Sequence, residues 1–177
     1  AQLSRGLGDV YKRQVIAAEK STKARRSLGI GFIGLAHYLA KLGYNYDSQE
    51  AWDAVHGLTE SFQYFLLKSS NKIAQEKGKC EYFDRTKYAD GILPIDTFKT
   101  DVNEITSEPL VHDWQGLRED ILKYGLRHST LSSQMPSESS SVVSNATNGI
   151  EPPRGGSIPL VALDTTDAVS YTHLRAH

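Results

Sequence analysis

The sequence predicts an α/β fold, mostly helical with few short strands. Three stretches carry that expectation. Across 48–77 apolar residues return at three- and four-residue steps, the spacing of one long amphipathic helix. Between Asp113 and Gly125 a shorter run has the start and stop signals of a second helix. Directly after it, Leu126, His128 and Thr130 alternate with Arg127, Ser129 and Leu131, a pattern that suits a short strand.

The elements follow in order. "EKSTKARRS" at 19–27 is a basic, polar lead-in, and Ser27 is a candidate cap for a helix running through Leu35, Leu39 and Leu42 to Gly43. The glycines between obscure where that helix starts. After a turn at "GYNYDS", Ala51, Val55, Leu58, Phe62, Phe65, Leu66 and Ile73 line one face of the long helix, which Gly78 ends. From Lys79 to about Asp113, "CEYFDRTKYADGILPIDTFK" breaks the periodicity; Asp90-Gly91 and Pro94 mark turns in an irregular connector, with a short helix expected near its end. Asp113 then caps the helix carrying Trp114, Leu117, Ile121 and Tyr124, and Gly125 closes it. Pro136 stops the strand, "SESSSVVSN" resumes helical character, and "ATNGIEPPRGG" reads as a loop.

The composition narrows the class. With 177 residues, 39% of them hydrophobic, the chain suits one domain with a real core. Lys and Arg number 20 against 21 for Asp and Glu, so no general charge attracts nucleic acid or an anionic membrane; neither partner is expected. The single cysteine, Cys80, forms neither an internal disulfide nor a CxxC pair, which fits a reducing cytoplasm. No apolar run is long enough to cross a bilayer, which takes roughly 20 residues. "AQLSRGLGDVYKRQ" lacks the apolar core of a secretion signal. The expected location is cytoplasmic.

Gly29, Gly31 and Gly34 in "LGIGFIGLAHYLAKLG" have the GxGxxG spacing of a dinucleotide-binding turn. That turn needs a buried strand before its first glycine and an acid about 20 residues on for the ribose. Here the lead-in is charged, and Glu50, near the right distance, opens a helix. Close backbone packing, where any Cβ would clash, is the preferred explanation. Arg25 and Arg26 are read as solvated or paired, with phosphate contact as the alternative.

"STLSSQMPSESSSVVSN" offers what the glycine motif lacks: a strand, a proline stop and a helix opening on Ser137, Ser139, Ser140 and Ser141. Free amides and the positive dipole end of a helix's first turn attract an anion, and hydroxyls add donors. Glu138 is discordant beside a phosphate, although acids favour the first helical turn in any case. On the residues alone, an ordinary capped helix accounts for the pattern equally well.

Four stretches in this order, "RRSLGIGFIGLAHYLAKLGYNY", "FQYFLLKSSNKIAQEKGKCEYFDRTKYADGILPIDTFK", "DWQGLREDILKYGLRHSTLSSQMPSESSS" and "SNATNGIEPPRG", closely resemble the large, catalytic subunit of class I ribonucleotide reductase, the aerobic bacterial type. "GILPID", "MPSESS" and "NATNGIEPPRG" are specific when found together. The resemblance implies that 15–155 is an internal fragment of the ten-stranded α/β barrel that reduces ribonucleoside diphosphates by a cysteine radical. It implies a substrate-diphosphate loop at Pro136, Ser137, Glu138, Ser139 and Ser140. Serine at 139 stands where threonine is frequent in the family and keeps the hydroxyl; His128 stands where asparagine is usual.

The same resemblance sets what this chain lacks. The family's thiyl-forming cysteine, its reducing and C-terminal cysteine pairs, its asparagine and glutamate beside the first cysteine, and its radical-transfer tyrosines have no counterparts here. No catalytic residue, no metal ligand and no cofactor are therefore expected in the fragment, which alone is expected to be inactive. The parent enzyme would rely on a metal-radical cofactor in a small subunit, on ATP and deoxynucleotide effectors, on a second large subunit, and on thioredoxin or glutaredoxin as reductant. Cys80 is read as structural. The ends, 1–14 and 156–177, resemble translated adapter sequence and are expected to lack stable packing around Tyr11 and Tyr171, with no metal site from His173 and His177. A small helical interaction module with no ligand site is the alternative function.

Overall fold

The computed structural model describes residues 15–152, Ser107 excepted, with Glu138 described through its backbone only. The expectations for Tyr11, Tyr171, His173 and His177 lie outside the described residues. The described residues fall into two compact units: 15–29, 63–98 and 112–131 form one, and 30–62, 99–111 and 132–152 the other.

In the first unit, α1 (Ile16–Arg25) occupies what the sequence suggested was a polar lead-in. Alanines, lysines and Glu19 have high helix propensity, and Glu19 pairs with Lys23 one turn on. With no apolar stripe, periodicity gave no sign of it. Arg26 ends it at φ 49°, its amide donating to the Thr22 carbonyl at 2.7 Å.

The long helix α3 (Gln49–Lys77) matches expectation within a residue and runs through both units. Its second half meets three 3-10 turns, Phe83–Arg85, Lys87–Asp90 and Pro94–Asp96, and α5 (Trp114–Tyr124). Leu67, Phe83, Leu93, Trp114, Ile121 and Leu126 form the core between them. Each such buried side chain contributes roughly 1.5–3 kcal/mol by leaving water. Asp113 Oδ1 accepts from the Gly116 amide at 2.8 Å, the cap the sequence implied. Asn71, buried on α3, donates to the carbonyls of Asp120 within α5 at 3.0 Å and of Gly125, which closes that helix, at 2.9 Å, tying the end of α5 to α3. The "GILPID" turn is fixed by charge: Asp96 accepts the Leu93 amide at 2.7 Å and both arms of the Arg118 fork at 2.8 and 2.9 Å.

The expected strand at 126–131 is absent; no strand occurs among the described residues. Leu126 and Leu131, which an alternating strand would put on opposite faces, are both buried. The backbone between them, however, bonds to helices and a loop: the Arg127 amide to the Ser70 carbonyl inside α3 (3.3 Å), the Ser129 amide to the Arg25 carbonyl (2.9 Å), and the Leu28 amide to the Thr130 carbonyl (3.0 Å). A ladder needs a continuous neighbour, and this segment has a succession of different ones.

In the second unit, α2 (Leu35–Leu42) starts at Gly34, φ 78°, and not at Ser27, whose hydroxyl lies 3.2 Å from that of Ser129 within the first unit. α4 (Val102–Ile105) is the short helix expected late in the connector, and α6 (Glu138–Ser144) the serine-rich one. The second unit's only extended pairing among the described residues is an isolated parallel bridge, Ile30 to Ser132, with the Ser133 amide donating to the Ile30 carbonyl at 3.0 Å.

Candidate functional site

The site is built where the chain leaves the Ile30–Ser132 bridge. A Cβ on Gly31 would collide with the Ser133 carbonyl oxygen and lie 3.0 Å from the Met135 methyl, so only glycine lets the two backbones approach. Gln134 adds a side-chain bond to the Phe32 carbonyl at 2.6 Å. Segment 30–34 thus holds one side of 132–136, and the packing explanation for Gly31 stands.

The other side is held by the loop after α6. Asn145 ends that helix in the left-handed region, φ 52°, and turns the chain back. The amides of Gly34 and Leu35 then donate to the carbonyls of Thr147 and Gly149 at 2.9 and 3.3 Å, and the His37 amide to Thr147 Oγ1 at 3.3 Å. These are the amides a dinucleotide pyrophosphate would require. Two peptide oxygens and a hydroxyl already take three amides of that helix N-terminus, which argues against the nucleotide explanation of the glycine spacing.

Between these supports, Pro136, Ser137, Ser139 and Ser140 line an open concavity of about 440 Å³. Pro136, Ser139 and Ser140 are exposed, while Ser137 is only 5% exposed. Ser137 is the N-terminal flanking residue of α6 but makes no side-chain cap to it. Its amide and hydroxyl both donate to Asn148 Oδ1, at 2.9 and 3.0 Å, and its oxygen accepts the Gly149 amide at 3.2 Å. Glu138 contributes the first helical residue. The first-turn amides of α6 have no carbonyl one turn earlier within the helix, the arrangement that receives an anion. All five expected residues therefore lie together, with Ser137 bound inward. Asn148 and Thr147 were not singled out from sequence, although the Asn148-Gly149 pair, a common turn dipeptide, marked the place.

Elsewhere the chemistry is structural. Cys80 is buried, and burial pushes its thiol pKa up, away from reactivity. His128 Nδ1 lies 2.9 Å from the buried Ser70 hydroxyl, and burial, followed by the nearby Arg127 and Arg26 charges, holds the imidazole below its usual range. Arg25 stacks its guanidinium 5.0 Å over the Tyr82 ring, as a paired surface arginine does. A second hollow of about 480 Å³ in the second unit is lined mainly by apolar side chains, among them Trp52, Val55 and Ile105. Among the described residues no group of three or more His, Cys, Asp or Glu is arranged for a metal ion, and no helix is long and apolar enough to cross a membrane.

Residues 7–157 match the ribonucleotide reductase barrel domain. The chain belongs to this family. It is 59% identical over 147 residues to the ribonucleoside-diphosphate reductase subunit alpha of Haemophilus influenzae, covering 83% of this chain and 19% of that protein. The ribonucleoside-diphosphate reductase 1 subunit alpha of Escherichia coli K12 is 56% identical over the same length and share. The Helicobacter pylori subunit alpha is 32% identical over 130 residues, 72% of this chain and 16% of its own. This stretch of reductase barrel spans about a fifth of the length of these relatives. The supports around Gly31 and 147–149 are thus features of a reductase barrel segment.

Proposed function

We propose that this chain is part of the catalytic barrel of an aerobic, class I ribonucleoside-diphosphate reductase and that its own contribution is to bind the substrate's diphosphate at Pro136, Ser137, Glu138, Ser139 and Ser140. The observation that carries this is the exposure of Ser139 and Ser140 on the first turn of α6, beside an open concavity and within a segment of reductase barrel. Amides and hydroxyls there can surround phosphoryl oxygens without a protein cation, because the helix end supplies the positive field. With one cysteine in 177 residues, the chain holds no redox pair of its own. Reduction at the 2′ carbon therefore belongs to the parent enzyme, with its small, metal-radical subunit, its second large subunit, ATP and deoxynucleotide effectors, and thioredoxin or glutaredoxin. In that setting the segments at Ile30 and Ser132 belong to the ten-stranded barrel, and this piece fixes one end of the substrate while chemistry occurs at the other.

The test is amide NMR of the full chain titrated with a ribonucleoside diphosphate and, separately, the matching nucleoside. The diphosphate should shift the Ser139 and Ser140 amides saturably and the nucleoside should not. Equal silence toward both would leave the serine turn as a plain helix start in a helical interaction module. Turnover to a deoxy product by this chain, given a small subunit and a dithiol, would overturn its assignment as a binding part alone.

A further inference from the structure

Ser137 has one hydroxyl proton and has already given it away. Its partner must be the amide oxygen of Asn148, since the Ser137 backbone N–H can only donate and points to the same atom. The remaining lone pairs of Ser137 Oγ face the Gly149 amide at 3.2 Å. A hydroxyl so committed donates nothing to a phosphate. The Ser137 carbonyl in turn accepts the Ser141 amide at 2.8 Å, so the placement of Ser137 sets where the first turn of α6 begins.

Resting on the diphosphate reading above, we propose that Asn148 is a positioning residue: it locks Ser137 as a bracket, so that Ser139 and Ser140 are the hydroxyls presented to phosphate. Asn148 is itself flanked by anchored neighbours. Thr147 and Gly149 accept the amides of Gly34 and Leu35, at 2.9 and 3.3 Å, so the bracket is tied to the start of α2. One loop thereby touches the starts of two helices: its oxygens take the Gly34, Leu35 and His37 amides at α2, and Asn148 bonds Ser137, the residue just before α6. The side-chain oxygen at 148 matters more than its nitrogen, and a carboxylate oxygen can take both Ser137 bonds.

The experiment uses the full chain and inorganic pyrophosphate as the probe, read at the Ser139 and Ser140 amides, with hydrogen exchange of the Ser137 amide measured without ligand. Asn148→Ala should expose the Ser137 amide to exchange and weaken pyrophosphate binding about tenfold, ~1.4 kcal/mol. Asn148→Asp should restore protection of the Ser137 amide, which loss of the whole fold would not allow. Adding Ser137→Ala to Asn148→Ala should cost no further affinity, because the two residues act as one unit. Wild-type affinity in Asn148→Ala, or a further additive loss in the double variant, would overturn the positioning role and leave the cradle standing. Silence of Ser139 and Ser140 in the unaltered chain would remove the cradle and the positioning role together.

Discussion

Replacing Gly31 by alanine puts a methyl group where the Ser133 carbonyl oxygen already lies, with Met135 Cε at 3.0 Å and Sδ at 3.1 Å behind it. The nearest obstacle is backbone, which cannot swing aside as a side chain tip does. The carbonyl must retreat by about 1 Å to restore ordinary contact. That displacement stretches the bond from the Ser133 amide to the Ile30 carbonyl, 3.0 Å in the folded chain. Overpacking of this kind costs about 1–3 kcal/mol, and a lost net hydrogen bond adds roughly 1 kcal/mol. A total of ~3 kcal/mol, with a urea slope of roughly 2 kcal/mol per molar, lowers the unfolding midpoint by about 1.5 M. The two tryptophans divide the assay: Trp52 belongs to the unit containing Gly31 and Trp114 to the other. Fluorine NMR of fluorotryptophan-labelled chain in urea should show the Trp52 signal unfolding early in Gly31→Ala. An unchanged Trp52 midpoint would refute the packing role of Gly31.

Three further outcomes follow from the same geometry. Asn71→Leu leaves the buried Gly125 carbonyl without its side-chain donor and should cost about 1–3 kcal/mol, read from an earlier urea midpoint of the Trp114 signal. His128 has a folded pKa below its unfolded one, so the unfolded chain takes up the proton first as pH falls: stability is fully present above the unfolded pKa, about 6.5, and declines below it. His128→Asn should remove that part of the acid slope in urea titrations as pH falls below about 6.5; identical slopes in the two chains would contradict the assignment. Cys80, buried with its thiol pKa raised, should resist a thiol-specific reagent in the native chain and react in urea, and rapid native labelling would show an opening there.

What the sequence made legible follows where the physics is local. The long helix, the Asp113 cap, the Gly43 and Gly78 ends and the serine helix are written in residues within a few positions of one another, and all are found. α1 was missed because its stability comes from propensity and an ion pair, which leave no apolar stripe. At the candidate site, the residue types and their order were legible, but the division among the serines was not. Ser137, Ser139 and Ser140 are chemically alike, and what separates them is Asn148, eleven residues beyond Ser137 and brought back by the left-handed turn at Asn145.

The missing strands have the same origin. A helix satisfies its amides within its own segment, so a stretch covering a fifth of its relatives' length can keep every helix the pattern implies. A strand satisfies them only on its neighbours, and a barrel strand needs one on each side. Ile30 and Ser132 pair in parallel, the mode of a barrel, yet the pairing stays an isolated bridge. The alternation at 126–131 makes no ladder: its backbone amides and carbonyls meet Ser70, Arg25 and Leu28 in turn, and Leu126 and Leu131 are buried without one. In a full-length reductase containing this segment, the amides around Ile30 and Ser132 should gain hydrogen-exchange protection relative to the 177-residue chain, while those inside α5 should change little. Equal protection in both chains would mean that the bridge is the complete structure and that no further strand pairs there.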